Sequence, residues 1–240
     1  MNAILTVPAT VDPAQAIGQI AVELPGATAV FRRLKLDFCC GGQVSLRQAA
    51  AEKALDLDAV VQELSALQRP ASLPGAGTTP AELIGHIVSR YHEVHRQQLP
   101  ELIRMARRVE AVHRGKPHVP AGLADALEAM HEELLSHMHK EEAILFPMLA
   151  RGGNSFAAQP IAVMRAEHTD HGEALAHIAR LTTDMVPPPG ACNTWRALYS
   201  GLAQLAADLV NHIHLENNVL FPQFEPAAAT EGCGTACGCS

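Results

Sequence analysis

The chain has 240 residues, 48% of them apolar, with only six Phe, two Tyr and one Trp, so any core is built from Leu, Ala, Val, Ile and Met, which favours helices over sheets. Its formal net charge of −7, without a polybasic segment, argues against a nucleic-acid partner or an anionic lipid surface. No run approaches about eighteen consecutive apolar residues, and no Lys or Arg precedes Arg32, so neither a membrane span nor a signal peptide is expected and the chain reads as cytoplasmic.

Short helical patterns near residues 13–24, 26–35, 45–54 and 57–68 are separated by Pro25-Gly26 and by Cys39-Cys40-Gly41-Gly42. They predict a small helical domain over residues 1–69. A Pro- and Gly-rich stretch over 70–79 reads as a linker. Thr79-Pro80-Ala81-Glu82 combines an N-cap, an N1 proline and a Glu three residues on, so a helix starts there and runs to about His113, with a kink expected at Pro100.

A second helix is predicted over 121–150, with Leu127, Met130, Leu134, His137, Glu141, Ile144 and Met148 along one seam. The third places Ile161, Met164, His168, His171, Leu175 and Ile178 inward; the fourth places Leu202, Leu205, Leu209, His212, Glu216 and Val219. Four long helices make an all-α four-helix bundle over 80–226, followed by a flexible tail over 227–240.

The seams carry polar residues where hydrophobes belong. H-x-x-H occurs at 92–95 and 168–171, and H-x-x-x-E at 137–141 and 212–216, each of the latter continuing into Leu-Phe-Pro, so the second copy follows the first by roughly 75 residues as an internal duplication. Residues i and i+4 share a helix face, so His137/Glu141 and His212/Glu216 each present an imidazole and a carboxylate to one point. With His92 and His168 these are six convergent ligands, too many for one structural zinc and of the N/O type that suits iron or manganese. Two metals with positions left for an exogenous ligand are expected.

His95 and His171 lie on the seam, with metal contact left open. His139 and His214 are expected to face away, Glu142 to lie off the seam and tolerate substitution, and His113 to serve the helix end. The vicinal Cys39-Cys40 before two glycines suits thiolate ligation or thiol exchange. Cys192 reads as a small packed residue. Cys233, Cys237 and Cys239 of the tail are either a transient metal site or inert.

These motifs resemble one family, the di-iron iron–sulfur cluster repair proteins (repair of iron centres), in which a hemerythrin-like domain follows a small cysteine-bearing domain. The resemblance rests on Phe31-Arg-Arg-Leu-Lys-Leu-Asp-Phe-Cys-Cys-Gly-Gly42, Arg90-Tyr-His-Glu-Val-His-Arg96, Leu134-Leu-Ser-His-Met-His-Lys-Glu-Glu142, Glu167-His168 and the segment Asp208 to Pro222. It implies two non-haem iron ions in a carboxylate-bridged di-iron centre on His92, His137, Glu141, His168, His212 and Glu216, with Glu141 and Glu216 as bridges. It also implies repair of iron–sulfur proteins damaged by nitrosative or oxidative stress, by iron donation and with NO reactivity. A hemerythrin-type O2 or NO binding or sensing protein, and an NO reductase in which Tyr91 or a seam histidine assists, remain alternatives. A homodimer stays open.

Overall fold

The computed structural model describes residues 11–67, 78–153 and 156–225. Most of the expected linker, and the tail with Cys233, Cys237 and Cys239, lie outside the described residues.

Four short helices come first: α1 (Ile17–Glu23), α2 (Ala27–Arg33), α3 (Leu46–Glu52) and α4 (Leu57–Ser65). Two start on side-chain caps that satisfy exposed backbone donors: Ser45 accepts from the Gln48 N–H, and Asp56 from those of Asp58 and Ala59. Ile17, Phe31, Phe38, Leu46 and Leu64 are almost fully buried and form a core of their own. The loop between α2 and α3 carries Phe38 to Gly42.

The bundle has four arms. The first is α5 (Pro80–Ile87), a π-helical turn Val88–His92 and α6 (Glu93–Val112); the second is α7 (Leu123–Lys140), a π turn Glu141–Leu145 and α8 (Phe146–Ala150). The third is α9 (Ala158–Leu181). The fourth is α10 (Asn193–Leu215), a π turn Glu216–Leu220 and a 3₁₀ turn Phe221–Gln223. The expected start at Thr79 is present as a reciprocal cap: Thr79 Oγ1 accepts from the Glu82 N–H while the Glu82 carboxylate accepts from the Thr79 N–H at 2.8 Å.

The three π turns correct two expectations. Each adds a residue to its turn, so the inward register advances by one beyond Glu141 and Glu216. Leu145 and Leu220 are therefore buried, whereas Ile144, expected on the seam, is 58% exposed, and Val219 is only half-buried. The cause is legible in the chain: Pro147 and Pro222 offer no N–H, and each ring would press on the carbonyl four residues back, inside the π turn. Pro100 lies inside α6, and the π turn of that arm is at Val88–His92, upstream of it.

Two apolar clusters fill the bundle. Leu83, Ile87, Leu145, Phe146, Ile161 and Phe221 pack at one end, and Leu99, Leu127, Leu134, Leu198 and Leu209 fill the other. The polar seam residues lie between them, fixed by hydrocarbon on both sides. Among the described residues no helix is long and apolar enough to cross a membrane.

The N-terminal helices dock on α9 and α10. Asn217 Nδ2 donates to the Cys39 carbonyl at 3.0 Å, Asn218 Nδ2 to the Phe38 carbonyl at 3.2 Å, and His214 meets the Phe38 ring edge-on at 5.2 Å. A Cβ on Gly42 would lie 2.6 Å from the Phe38 carbonyl oxygen and 2.7 Å from Asn218 Oδ1, so glycine there is what permits the close approach. His214 is thus buried at this junction, not turned to solvent as its spacing suggested; His139 is exposed as expected. The docked module supplies the face that a bare bundle would have left open.

Candidate metal centre

The six residues selected by spacing converge in two sets of four. His92, His212, Glu141 and Glu216 form one; His137, His168, Glu141 and Glu216 form the other, and all six are buried. In the first set, His92 Nε2 is 3.0 Å from His212 Nε2 and 3.4 Å from Glu141 Oε2, and His212 Nε2 is 2.9 Å from Glu216 Oε1. In the second, His137 Nε2 is 3.1 Å from His168 Nε2 and 3.5 Å from Glu141 Oε2, and His168 Nε2 is 3.0 Å from Glu216 Oε2. Glu216 therefore turns one oxygen to each histidine pair, and a single oxygen of Glu141 faces both. Each set takes one histidine from each copy of the duplicated sequence.

This arrangement fits metal ions and little else. Facing imidazole nitrogens and carboxylates are costly to bury without compensation. Neither oxygen of Glu141 has a hydrogen-bond partner among the described residues. Burial, together with the neighbouring Glu216 charge, pushes the Glu141 carboxyl well above the usual carboxylate range. Burial also opposes charge on Glu216, but His212 and His168 beside it hold that carboxyl well below the usual range. Burial and His168 push His137 well below the ordinary imidazole value, which keeps it neutral and able to ligate.

Three residues that spacing did not single out orient the imidazoles. Glu142 Oε1 accepts from His92 Nδ1 at 2.6 Å and from Arg96 at 2.6 Å. Glu167 Oε2 accepts from His137 Nδ1 at 2.8 Å and is paired with Lys140. Asn217 Oδ1 lies 2.9 Å from His168 Nδ1. Such bonds turn Nε2 inward and fix the tautomer. Glu142 is thus not the indifferent position expected of a residue off the seam: it reaches sideways to the first arm. The one signal was adjacency, since Glu142 and Asn217 each follow a seam glutamate and Glu167 precedes a seam histidine.

The fourth histidine differs. His212 Nδ1 has no hydrogen-bond partner among the described residues, and Tyr91 stacks on its ring at 5.4 Å. Tyr91 directly precedes His92 as Glu167 precedes His168, so the duplication has diverged at this place. The two sets are alike in composition and unlike in support.

Asp37, Cys39 and Cys40 form a further group of close ligand atoms. Cys39 Sγ lies 3.3 Å from Asp37 Oδ1 and 3.7 Å from Cys40 Sγ, and Cys40 Sγ is 3.6 Å from the His168 carbonyl. The hydrogen bond from Cys39 lowers the Cys40 thiol, helped by His168 and Arg165 and opposed by burial; the same bond and burial raise Cys39. Both cysteines line a cleft of about 870 Å³ between the N-terminal helices and α9/α10. Cys192, expected to be packed, is exposed at the N-cap of α10, with His113 Nε2 3.3 Å from its sulfur. His113 is the C-cap residue of α6 and packs on Trp195.

Comparison with known proteins agrees with this geometry. The model of the hemerythrin HHE cation-binding domain matches residues 83–224, and a domain of unknown function, ScdA_N, matches residues 13–68. The iron-sulfur cluster repair protein YtfE of Cronobacter sakazakii is 52% identical over 210 residues, covering 87% of this chain and 95% of the relative. The proteins of the same name from Citrobacter koseri and Escherichia coli O1:K1 are each 50% identical, covering 87% of this chain and 96% of theirs.

Proposed function

This chain belongs to the iron–sulfur cluster repair proteins that carry a hemerythrin HHE cation-binding domain, and on that premise we propose that it holds two iron ions and repairs damaged iron–sulfur clusters by donating iron. The observation that carries the reading is that two separate histidine pairs share the same two carboxylates, Glu141 and Glu216. A donor set of imidazole and carboxylate without thiolate suits iron and holds it less permanently than sulfur does. Bound iron would supply exchangeable coordination positions able to take a small ligand such as NO.

The protein's own residues have distinct tasks in this scheme. His92, His137, His168 and His212 provide nitrogen ligands, and Glu141 and Glu216 bridge. Glu142, Glu167 and Asn217 hold the rings in place, while Phe146 and Phe221 stack on His92 and His168 and exclude water from that end. Cys40 lies behind the main chain of His168 and opens to the cleft. We assign to Cys39 and Cys40 the role of thiol acceptors for outgoing iron, and the damaged client, an iron–sulfur protein of the cytoplasm, to the cleft side. The free thiols fit a reducing compartment.

The test is transfer. Protein loaded with isotopically labelled iron is mixed, anaerobically and with reductant, with an apo or NO-treated cluster enzyme. Return of the client's activity with the label in its cluster is expected, slowed when Cys39 and Cys40 are replaced by Ser. A stable NO or O2 adduct with no iron leaving the bundle would overturn donation in favour of a binding or sensing role.

A further inference from the structure

His95 and His171 are buried histidines that neither metal set takes up. His95 on α6 lies one turn beyond His92, His171 on α9 lies one turn beyond His168, and they hold matching places in the duplicated halves. They are 0% and 2% exposed, and none of their four ring nitrogens has a hydrogen-bond partner among the described residues. Leaving a buried donor unmade costs about 1–3 kcal/mol, so an unpartnered imidazole repeated in both halves marks a missing partner.

Their surroundings say what that partner is. The His95 ring lies 5.5 Å from His212 in one set, and the His171 ring lies 5.0 Å from His137 in the other. Neither histidine joins the set of mutually close ligand atoms beside it, so each stands at the margin of its set. The two ends of the site also differ in polarity. Phe146 and Phe221 stack on His92 and His168 at 5.6 and 6.0 Å and close one end with hydrocarbon. At the opposite end stand the two imidazoles, and the next turn of their helices brings the buried Leu99 and Leu175.

The geometry points to a binding pocket for a small hydrogen-bond acceptor, an anion or a diatomic molecule, seated between the metals' exchangeable positions and His95 and His171, whose ring N–H groups donate to it. The inference rests on the two-metal reading given above. It assigns the pocket to one end of the bundle and a donor to each half. The phenylalanine end remains closed to polar ligands.

Azide is a suitable probe, because binding to the iron(III)-loaded full chain is followed by a charge-transfer band. His95→Leu and His171→Leu, singly and together, are compared with His95→Gln and His171→Gln, which keep an N–H donor. Iron per chain is measured on every sample. At unchanged iron content, each Leu variant is expected to weaken azide binding by about tenfold or more, and Gln to restore part of the loss. Azide affinity within about twofold of the parent in the iron-replete double variant would overturn the pocket. Loss of iron in both the Leu and the Gln variants would overturn it differently, by making the histidines ligands. A parent chain that fails to take up a pair of metals would instead sink the two-metal reading, and the pocket with it.

Discussion

Glu142 Oε1 lies 2.6 Å from Nδ1 of His92, a carboxylate on the second arm steering an imidazole on the first. In the other half Asn217 stands in the same place against His168, so one histidine is supported by a charge and its counterpart by an amide. The set with His92 is expected to bind its ion with a stronger donor nitrogen on that side.

Replacing Glu142 by Leu should therefore lower iron retention about 10- to 100-fold in a chelator challenge, with Glu142→Gln intermediate. Its bonds to His92 and Arg96 set this expectation against the tolerance that its place off the seam implied. Iron retention equal to the parent in the Leu variant would remove Glu142 from the site.

The shared carboxylates behave differently from the histidines. Glu141→Leu or Glu216→Leu removes a group common to both sets, so elemental analysis should find most of both ions gone. His92→Leu touches only the first set, and roughly half of the parent's iron should remain. Equal losses in all three variants would mean that the sets do not fill independently.

His214, buried against Phe38, has an imidazole pKa pushed down to about 4 by burial. At neutral pH it is uncharged both folded and unfolded, and stability is complete. Below about 6.5, the unfolded chain takes up a proton that the folded chain refuses, so stability falls as pH drops towards 4. The loss at pH 5 is about 2 kcal/mol. Thermal melts of the parent and of His214→Gln at pH 7 and pH 5 isolate it, because the Gln variant lacks this proton. The melting temperatures should converge as the pH falls; a constant difference would contradict the burial of His214.

Gly42 is closed in by the Phe38 carbonyl and Asn218. Gly42→Ala should cost about 1–3 kcal/mol and loosen the N-terminal helices from α10, which limited proteolysis would detect as earlier cleavage before residue 68. An unchanged digestion pattern would show that the junction yields without cost.

The lowered thiol of Cys40 and the raised thiol of Cys39 predict selective chemistry. Brief iodoacetamide treatment near neutral pH should modify Cys40 first, read by fragmenting the peptide that contains both. Preferential modification of Cys39 would reverse the assignment of donor and acceptor in the pair.

The helices and the six candidate ligand positions were legible because both are local in origin. Caps such as Thr79 with Glu82, and a three-to-four-residue repeat of inward side chains, depend only on neighbours in the chain. H-x-x-x-E places two ligands on one helix face whatever the rest of the fold does. The orienting residues were not legible in this way. Glu142 and Asn217 point to one side of the glutamates they follow, and only the neighbouring arm gives them a target. His214 was misjudged for the same reason, since its face is covered by a module whose docking no helical repeat encodes.

The sequence by itself therefore determined an all-helical bundle with a duplicated set of six inward His and Glu side chains. Tertiary structure alone decided how they are shared. His92 pairs with His212 and His137 with His168, each across the two copies and each between arms that pack on one another in the folded bundle. It also decided that the register shifts by one residue beyond Glu141 and Glu216, burying Leu145 and Leu220 in place of Ile144 and Val219. Pairing across the bundle and the choice between α and π turns depend on side chains far apart in the chain, and on the volume left once hydrophobic clusters close on both sides of the site.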